Sequence, residues 1–290
     1  MFSSYVSLWV IWAGAAAAHP PEVSASVGVD VSTDISIGYP AIVLVPGAFG
    51  TPAGYDRIVP YLEDAGFETV DGAYPSSDPP DPADATSLKD IAHLRDEILQ
   101  PLLDEGRELV VVAHSYGGIV AGGAAKNLSK TTRRAHGLAG GVVGLFYIAG
   151  NIAFENQTLL EAVGGAYPDF IKLDSPSEDL AIISPAMDVL YNDLPASDEP
   201  ELAGYMTPHA YFAFQTPPSA PAWAEAEYGG RRTYIRTLRD RCNPPALQDL
   251  WLSSTGVTWD VVGFNTSHMP FVSQPEALAI QLIESAKSYA

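Results

Sequence analysis

The stretch VVVAHSYGGIVAGGAA, from Val110 to Ala125, joins an apolar run to a series of small residues through Ser115 and two glycines. The apolar run predicts a buried strand, and the small residues after it predict a helix that begins close to that strand. A sharp turn between them would lift the serine hydroxyl above the edge of a sheet, beside the N–H groups at the start of the helix. The stretch alone leaves two interpretations open: a turn that carries a nucleophile, or an ordinary strand–turn–helix junction.

Strand and helix patterns alternate on both sides of this stretch, which predicts an α/β fold with a mostly parallel, doubly wound sheet. Continuous apolar runs, typical of strands buried on both faces, recur along the chain. The predicted strands lie at residues 41–45, 67–70, 109–112, 142–148, 232–238 and 257–264. Helices are predicted over residues 55–62, 87–102, 117–128 and 275–288. The alternation lapses between about Gly150 and Trp223, where prolines are frequent, and this segment is interpreted as an insertion.

The first eighteen residues contain no charged side chain, include an apolar run at residues 5–13, and end in a run of alanines. This pattern predicts a cleaved signal peptide at residues 1–18, because the apolar run is shorter than the roughly 20 residues that a membrane span needs. We therefore expect a secreted or secretory-pathway protein with no stable membrane span and one folded domain over residues 39–290. Three glycosylation sequons agree with this location, at Asn127, Asn156 and Asn265.

The balance of charge and the spacing of polar residues exclude several classes of partner. Thirty-five acidic against fifteen basic residues give a formal net charge of −20, which repels phosphate backbones, so no nucleic-acid partner is expected. The glycines of PGAFG, residues 46–50, do not form the G-x-G-x-x-G pattern of a dinucleotide site. The histidines are dispersed and the cysteine is single, so we predict no cofactor and no metal. The sequence predicts no particular oligomeric state.

A serine hydroxyl is a poor nucleophile, so Ser115 needs a base and an acid that orients the base. His268 lies just past the last predicted strand, where the base belongs if the chain order is serine, acid, histidine. Asp240 follows the strand at 232–238 and is the predicted acid. Asp260 is a rival inside the final strand, and Asp249 lies within the helix that follows Asp240.

A developing oxyanion would need two hydrogen-bond donors. The backbone N–H of Tyr116, directly after the serine, is the first predicted donor. The second should come from the turn after the first strand, LVPGAFG, in which Gly47 permits close backbone approach and the N–H of Ala48 is the candidate. A tight turn that needs a glycine for structural reasons alone is the other interpretation of this loop.

Four segments together resemble the α/β-hydrolase superfamily, especially its branch of small methylesterases, carboxylesterases and hydroxynitrile lyases. They are LVPGAFG, VVAHSYGG, YIRTLRD followed by Asn-Pro-Pro, and SHMPFVSQPEAL. The resemblance spans residues 39–290, although Ala113 replaces the first glycine of the usual G-x-S-x-G, and Pro46 stands where the branch usually has a histidine. It implies an α/β-hydrolase fold with a helical cap inserted after the strand that the family counts as its sixth. This cap, at about residues 151–223, would shape the choice of substrate.

The resemblance and the triad order lead to an expected function. We expect a serine hydrolase that cleaves a carboxylic ester, lactone or thioester of a small to medium apolar substrate through an acyl-enzyme. Two alternatives stay open: a lyase or condensation catalyst of a natural-product pathway on the same fold, and a non-catalytic homologue that binds a ligand. Aromatic residues in the last part of the cap suggest an apolar or aromatic substrate: Tyr205, Tyr211, Phe212, Phe214 and Trp223.

Overall fold

Six parallel strands form the main sheet of the protein, in a computed structural model that describes residues 38–290. The predicted signal peptide at residues 1–18 lies outside the described residues. The strands of the chain are β1 (Ala41–Val45), β2 (Thr69–Asp71), β3 (Glu108–His114), β4 (Gly141–Ile148), β5 (Ile171–Leu173), β6 (Leu180–Ile183), β7 (His209–Ala210), β8 (Arg232–Thr237) and β9 (Asp260–Phe264). The main sheet has the order β2-β1-β3-β4-β8-β9, so the predicted parallel α/β sheet is confirmed.

Helices cover the sheet and connect its strands. They are α1 (Val59–Asp64), α2 (Ser87–His93), α3 (Gln100–Asp104), α4 (Gly117–Ala124), α5 (Lys130–Ala135), α6 (Leu159–Ala162), α7 (Ala186–Val189), α8 (Glu199–Leu202), α9 (Phe212–Gln215), α10 (Pro245–Ser254), α11 (Pro270–Ser273) and α12 (Pro275–Tyr289). The helix predicted over residues 87–102 is interrupted by a π-helical segment, Leu94–Leu99, just before Pro101. Proline has no N–H to continue the regular α-helical bonding, which accounts for the irregular turn. Among residues 38–290, no helix is both long and apolar enough to cross a membrane.

The central strands β1, β3 and β4 are buried on both faces, as their continuous apolar sequences predict. In a parallel sheet the carboxyl ends of all strands meet at the same edge. The turns after β1, β3, β4 and β8 therefore gather at that edge. The edge strand β9 is mostly exposed, and Asp260 at its start faces solvent.

The cap, residues 151–223, lies between β4 and β8, after the fourth parallel strand of the described chain. Besides short helices it contains a three-stranded antiparallel sheet, β5-β6-β7, which the sequence pattern does not indicate. Its pairs include Ile171 opposite Ile183, and Leu180 opposite Ala210. Strands of two to four residues are too short to give a recognisable alternation of polar and apolar side chains, and prolines keep the helices short as well.

The close contact between β4 and the C-terminal helix gives a test of the fold. A Cβ atom at Gly144 would lie 2.0 Å from Cδ2 of Tyr289, at the end of α12. We expect Gly144→Ala to lower the free energy of unfolding by about 1–3 kcal/mol, the range for overpacking a filled core. The measurement is the midpoint of urea-induced unfolding at constant m-value.

The matched control for this variant is Gly204→Ala, because a Cβ at Gly204 meets no heavy atom within 4 Å. Its free energy of unfolding should stay within about 0.5 kcal/mol of that of the parent protein. Equal midpoints for the two variants would contradict the packing of α12 on β4.

Candidate active site

Ser115 occupies a strained turn between β3 and α4. Its φ angle is +48°, in the left-handed region that non-glycine residues seldom adopt. Two hydrogen bonds hold the turn against the segment after β4: the Ser115 N–H donates to the carbonyl of Ile148 at 3.2 Å, and the Asn151 N–H donates to the carbonyl of Ser115 at 2.8 Å. The predicted sharp strand-to-helix turn is therefore present, and Ser115 as a residue is 9% exposed.

Two glycines let the turn after β1 touch the turn after β3. A Cβ at Gly47 would lie 2.6 Å from Nδ1 of His114 and 2.9 Å from Cβ of Ser115. A Cβ at Gly117 would lie 2.4 Å from the carbonyl oxygen of Pro46. Only a hydrogen side chain fits at either position, so backbone contact brings Ala48 next to Ser115.

His268 and Asp240 meet at the carboxyl ends of the last two strands. Nδ1 of His268 lies 2.6 Å from Oδ2 of Asp240, and both side chains are buried. The carboxylate also accepts hydrogen bonds from the hydroxyl of Thr237 and from the N–H groups of Cys242 and Asn243 at 2.7–2.8 Å. A carboxylate held by these donors orients the imidazole with its proton on Nδ1, which leaves the lone pair on Nε2.

The environment of His268 acts on its pKa in two directions. Burial lowers the pKa of His268. The charge and hydrogen bond of Asp240, with the neighbouring Cys242, raise this pKa by more than burial lowers it. The net pKa of His268 lies above its usual value of 6.5. His114 supports the same loop, because its Nε2 lies 3.0 Å from the carbonyl oxygen of His268 and its ring packs at 4.5 Å from the His268 ring.

One cavity of about 250 Å³ brings most of the predicted site residues together. Ser115, His268, Ala48 and Tyr116 all line it, while Asp240 lies behind His268. Within residues 38–290, the N–H groups of Ala48 and Tyr116 donate to no protein acceptor, and no direct hydrogen bond joins the Ser115 and His268 side chains. Catalytic hydrogen bonds of this kind often become short only when substrate is bound.

The other predicted carboxylates and most of the predicted aromatics lie elsewhere. Asp249 forms an ion pair with Arg236 at 2.6 Å, and Asp260 is exposed at the sheet edge. Of the five aromatic residues in the cap that suggested a substrate, only Phe214 lines the cavity. Trp223 is instead a buried core residue that packs on Phe154.

Most of the cavity wall is apolar and comes from parts of the cap that sequence analysis did not single out. Its apolar lining includes Leu159, Leu160, Val163, Tyr167, Phe170, Ile183 and Leu190. The polar lining residues that sequence analysis missed are Asn151, Arg241, Cys242 and Asn243. Three of these directly follow Asp240 in the sequence, so their position next to the predicted acid was the available signal.

The His268–Asp240 pair gives a test that does not depend on any reaction. We expect His268 to titrate above pH 6.5 in the parent protein, because the Asp240 carboxylate stabilises the imidazolium. In Asp240→Asn the charge is gone and burial remains, so the His268 pKa should fall below 6.5. The measurement is an NMR titration of labelled histidine, assigned with His268→Gln.

The control is Asp249→Asn, which removes a carboxylate from the same region without touching His268. Its His268 titration should match that of the parent protein. An unchanged His268 midpoint in Asp240→Asn would show that the contact with Asp240 does not raise the pKa of His268.

Comparison with known proteins identifies the family of the chain. The sequence model of the alpha/beta hydrolase family matches residues 42–281. The chain is 28% identical over 255 residues to the alpha/beta hydrolase nvfD of Aspergillus novofumigatus, covering 85% of this chain and 96% of that protein. It is 26% identical over 259 residues to a probable hydrolase from Phoma sp., covering 85% and 98%.

Solved structures show the same fold. A pyrethroid hydrolase from Sphingobium faniae superposes with a TM-score of 0.68 at 21% identity, over 86% of this chain and 98% of that one. A methylesterase from Arabidopsis superposes with a TM-score of 0.60 at 18% identity, over 86% and 99%. With a family model that spans most of its length and this shared architecture, the chain belongs to the alpha/beta hydrolase family.

Proposed function

We propose that this protein is a carboxylic-ester hydrolase that uses Ser115, His268 and Asp240 as a catalytic triad. The observation that carries the proposal is the shared cavity: Ser115 on its strained turn and His268, oriented by Asp240, line the same apolar space. Ala48 and Tyr116 line it as well, and among residues 38–290 their N–H groups have no protein acceptor. These are the nucleophile, base and oxyanion donors that acyl transfer requires.

The proposed reaction has two steps, acylation of Ser115 and hydrolysis of the acyl-serine. Nε2 of His268 accepts the Ser115 proton while Oγ attacks the ester carbonyl, and the carbonyl oxygen becomes an oxyanion held by the Ala48 and Tyr116 amides. Collapse expels the alcohol, which takes the proton from His268, and leaves an acyl-serine. Water then attacks the acyl group with His268 again as the base, which releases the acid and restores the Ser115 hydroxyl.

The cavity supports a substrate with a small to medium apolar acyl group, and lactones and thioesters offer the same carbonyl chemistry. We also propose that the protein passes through the secretory pathway, as its first eighteen residues suggest. The asparagines of the three sequons, Asn127, Asn156 and Asn265, are all exposed, which supports their glycosylation.

The nucleophile can be tested by covalent labelling of the full chain. We expect a fluorophosphonate probe to label Ser115, and Ser115→Ala and His268→Ala to lose the label. An activated ester should give a burst of product equal to the enzyme concentration, because the acyl-enzyme accumulates. Ser253→Ala, an exposed serine on α10, is the matched control and should keep both signals.

The outcomes separate the alternatives. Labelling without turnover of any ester, lactone or thioester would contradict the hydrolase and favour a lyase or condensation catalyst. Absence of labelling in the parent protein would contradict a working nucleophile and favour a ligand-binding homologue.

Arg241 adds a guanidinium group to the mostly apolar cavity wall. Its Nη1 donates to the carbonyl of Asp188 at 3.1 Å, which holds the side chain against the cap. Within residues 38–290, Arg241 has no carboxylate within 4 Å, although the chain carries a net charge of −20. We therefore propose that Arg241 favours substrates that carry a carboxylate at the end away from the ester.

A pair of substrates of matched length tests this preference. The kcat/KM for the mono-4-nitrophenyl ester of adipic acid, relative to 4-nitrophenyl hexanoate, should fall about 2- to 5-fold in Arg241→Gln, the range of an exposed ion pair. Arg239→Gln is the control, because Arg239 does not line the cavity. An unchanged ratio in Arg241→Gln, or an equal change in Arg239→Gln, would contradict the assignment.

A further inference from the structure

Asp90, on α2, is a buried carboxylate that the proposed mechanism does not use. Its Oδ1 accepts the N–H of Ser76 at 3.0 Å. Its Oδ2 accepts the hydroxyl of Ser76 at 2.6 Å and the hydroxyl of Tyr116 at 2.7 Å. Asp90 is 0% exposed, and no lysine or arginine of the described chain pairs with it. A buried charge that is held only by neutral donors needs an explanation.

His209, on cap strand β7, extends this network. Its Nε2 lies 3.0 Å from Oγ of Ser76. Because the Ser76 hydroxyl proton is donated to Asp90, the Ser76 oxygen accepts, and the His209 proton must lie on Nε2. Burial lowers the pKa of His209 to about 3, so the ring is neutral at physiological pH. The hydroxyls of Ser76 and Tyr116 thus donate directly to the Asp90 carboxylate, and His209 donates to the Ser76 oxygen.

The network connects the cap to the residue after the nucleophile. The Ala210 N–H, on the same strand as His209, donates to the carbonyl of Ser76 at 2.9 Å. The His209 ring stacks on Phe214 at 4.8 Å, and the Tyr116 ring packs at 5.3 Å from both of them. Phe214 and Tyr116 also line the cavity, so the network packs directly behind two residues of the cavity wall.

The ionised carboxylate of Asp90 disfavours folding. Burial raises the pKa of Asp90 to about 6, although the hydrogen bonds from Ser76 and Tyr116 lower it. A group whose pKa is higher in the folded than in the unfolded state favours folding less once it is ionised. Apolar side chains of similar volume commonly fill such positions at no loss of stability. The position of Asp90 therefore points to a requirement other than stability.

We propose that Asp90 is a positioning residue of the oxyanion hole: by holding the Tyr116 hydroxyl, it fixes the Tyr116 peptide N–H relative to Ser115 Oγ. Through Ser76 and His209 it also fixes the cap against the same residue. The proposal rests on the proposed function, in which the Tyr116 amide donates to the oxyanion. It assigns Asp90 no contact with substrate.

The position of the amide matters most when negative charge develops on the carbonyl oxygen. A ground-state ester makes a weak hydrogen bond to this donor, whereas the tetrahedral oxyanion makes a strong one. Loosening Tyr116 should therefore lower kcat and leave KM nearly unchanged. A purely structural role would instead reduce the amount of folded protein and leave the kinetics of the folded fraction unaltered.

The test uses Tyr116→Phe, which removes the hydroxyl and keeps the ring and the peptide N–H. We expect kcat for 4-nitrophenyl hexanoate to fall between about 10-fold and about 100-fold, up to the loss that a 1 Å misplacement brings. Binding of 1,1,1-trifluorooctan-2-one should weaken by the same factor. Ser115 adds to this ketone, its proton passes to His268, and the resulting alkoxide occupies the oxyanion hole. Ser76→Ala removes the other hydroxyl that donates to Asp90. It should also lower kcat and weaken binding of the ketone.

The matched control is Tyr289→Phe, which removes a buried tyrosine hydroxyl bonded to Thr233, on a residue that does not line the cavity. It should keep kcat and the affinity for the ketone. The positioning role is overturned if Tyr116→Phe keeps kcat, or if kcat falls while the affinity for the ketone does not. Failure of the parent protein to be labelled at Ser115 would overturn the proposed function instead, so the two failures are distinguishable.

Discussion

The approach of two backbone turns at the carboxyl edge of the sheet governs the rest of the site. β1 and β3 are paired neighbours, with Val45 opposite Ala113, so their following turns leave the sheet side by side. The turns touch where Gly47 faces Ser115, with no room for a side chain between them. Main-chain contact therefore brings Ala48, a candidate oxyanion donor, next to Ser115. The proposed base and its acid arrive from the other half of the sheet.

Two buried carboxylates near the site, Asp240 and Asp90, differ in the kind of group that they contact. Asp240 faces an imidazole that can become positive, so its charge raises the pKa of His268. Asp90 faces only neutral donors, so burial raises its own pKa. The first arrangement makes the proposed base, His268, more basic. The second uses a buried charge to orient two hydroxyl groups. Two aspartate side chains thus have different roles, and the environment of each one decides its role.

Much of this site could be predicted from sequence, because its strongest signals are local. Buried apolar runs predict β1, β3 and β4, and the small residues around Ser115 predict the turn. The chain order of Ser115, Asp240 and His268 predicts which residues belong together. The structure brings these three to one edge of the sheet. The roles given to them, and to Ala48 and Tyr116, stay predictions until activity is measured.

The rest depends on contacts between distant segments. Ser76 and His209 are 133 positions apart, and neither has a motif that marks it. The cap sheet has strands of two to four residues, below the length at which alternation is visible. Asp90 sits at an ordinary helical position, and only the folded structure shows that Tyr116 reaches it. Polar residues that become buried through the cap are therefore the part that sequence patterns miss.

The proposed base, His268, follows an edge strand of the main sheet. Within residues 38–290, β9 pairs only with β8, and most of its residues are exposed. The loop that carries His268 begins directly after it. Edge strands exchange their amide hydrogens by local opening, at a smaller free energy than the global unfolding that exposes a central strand. Fraying of this edge would withdraw His268 from Asp240 while Ser115, anchored in the centre, stays in place. The protein would then lose its proposed base reversibly, before the sheet as a whole unfolds.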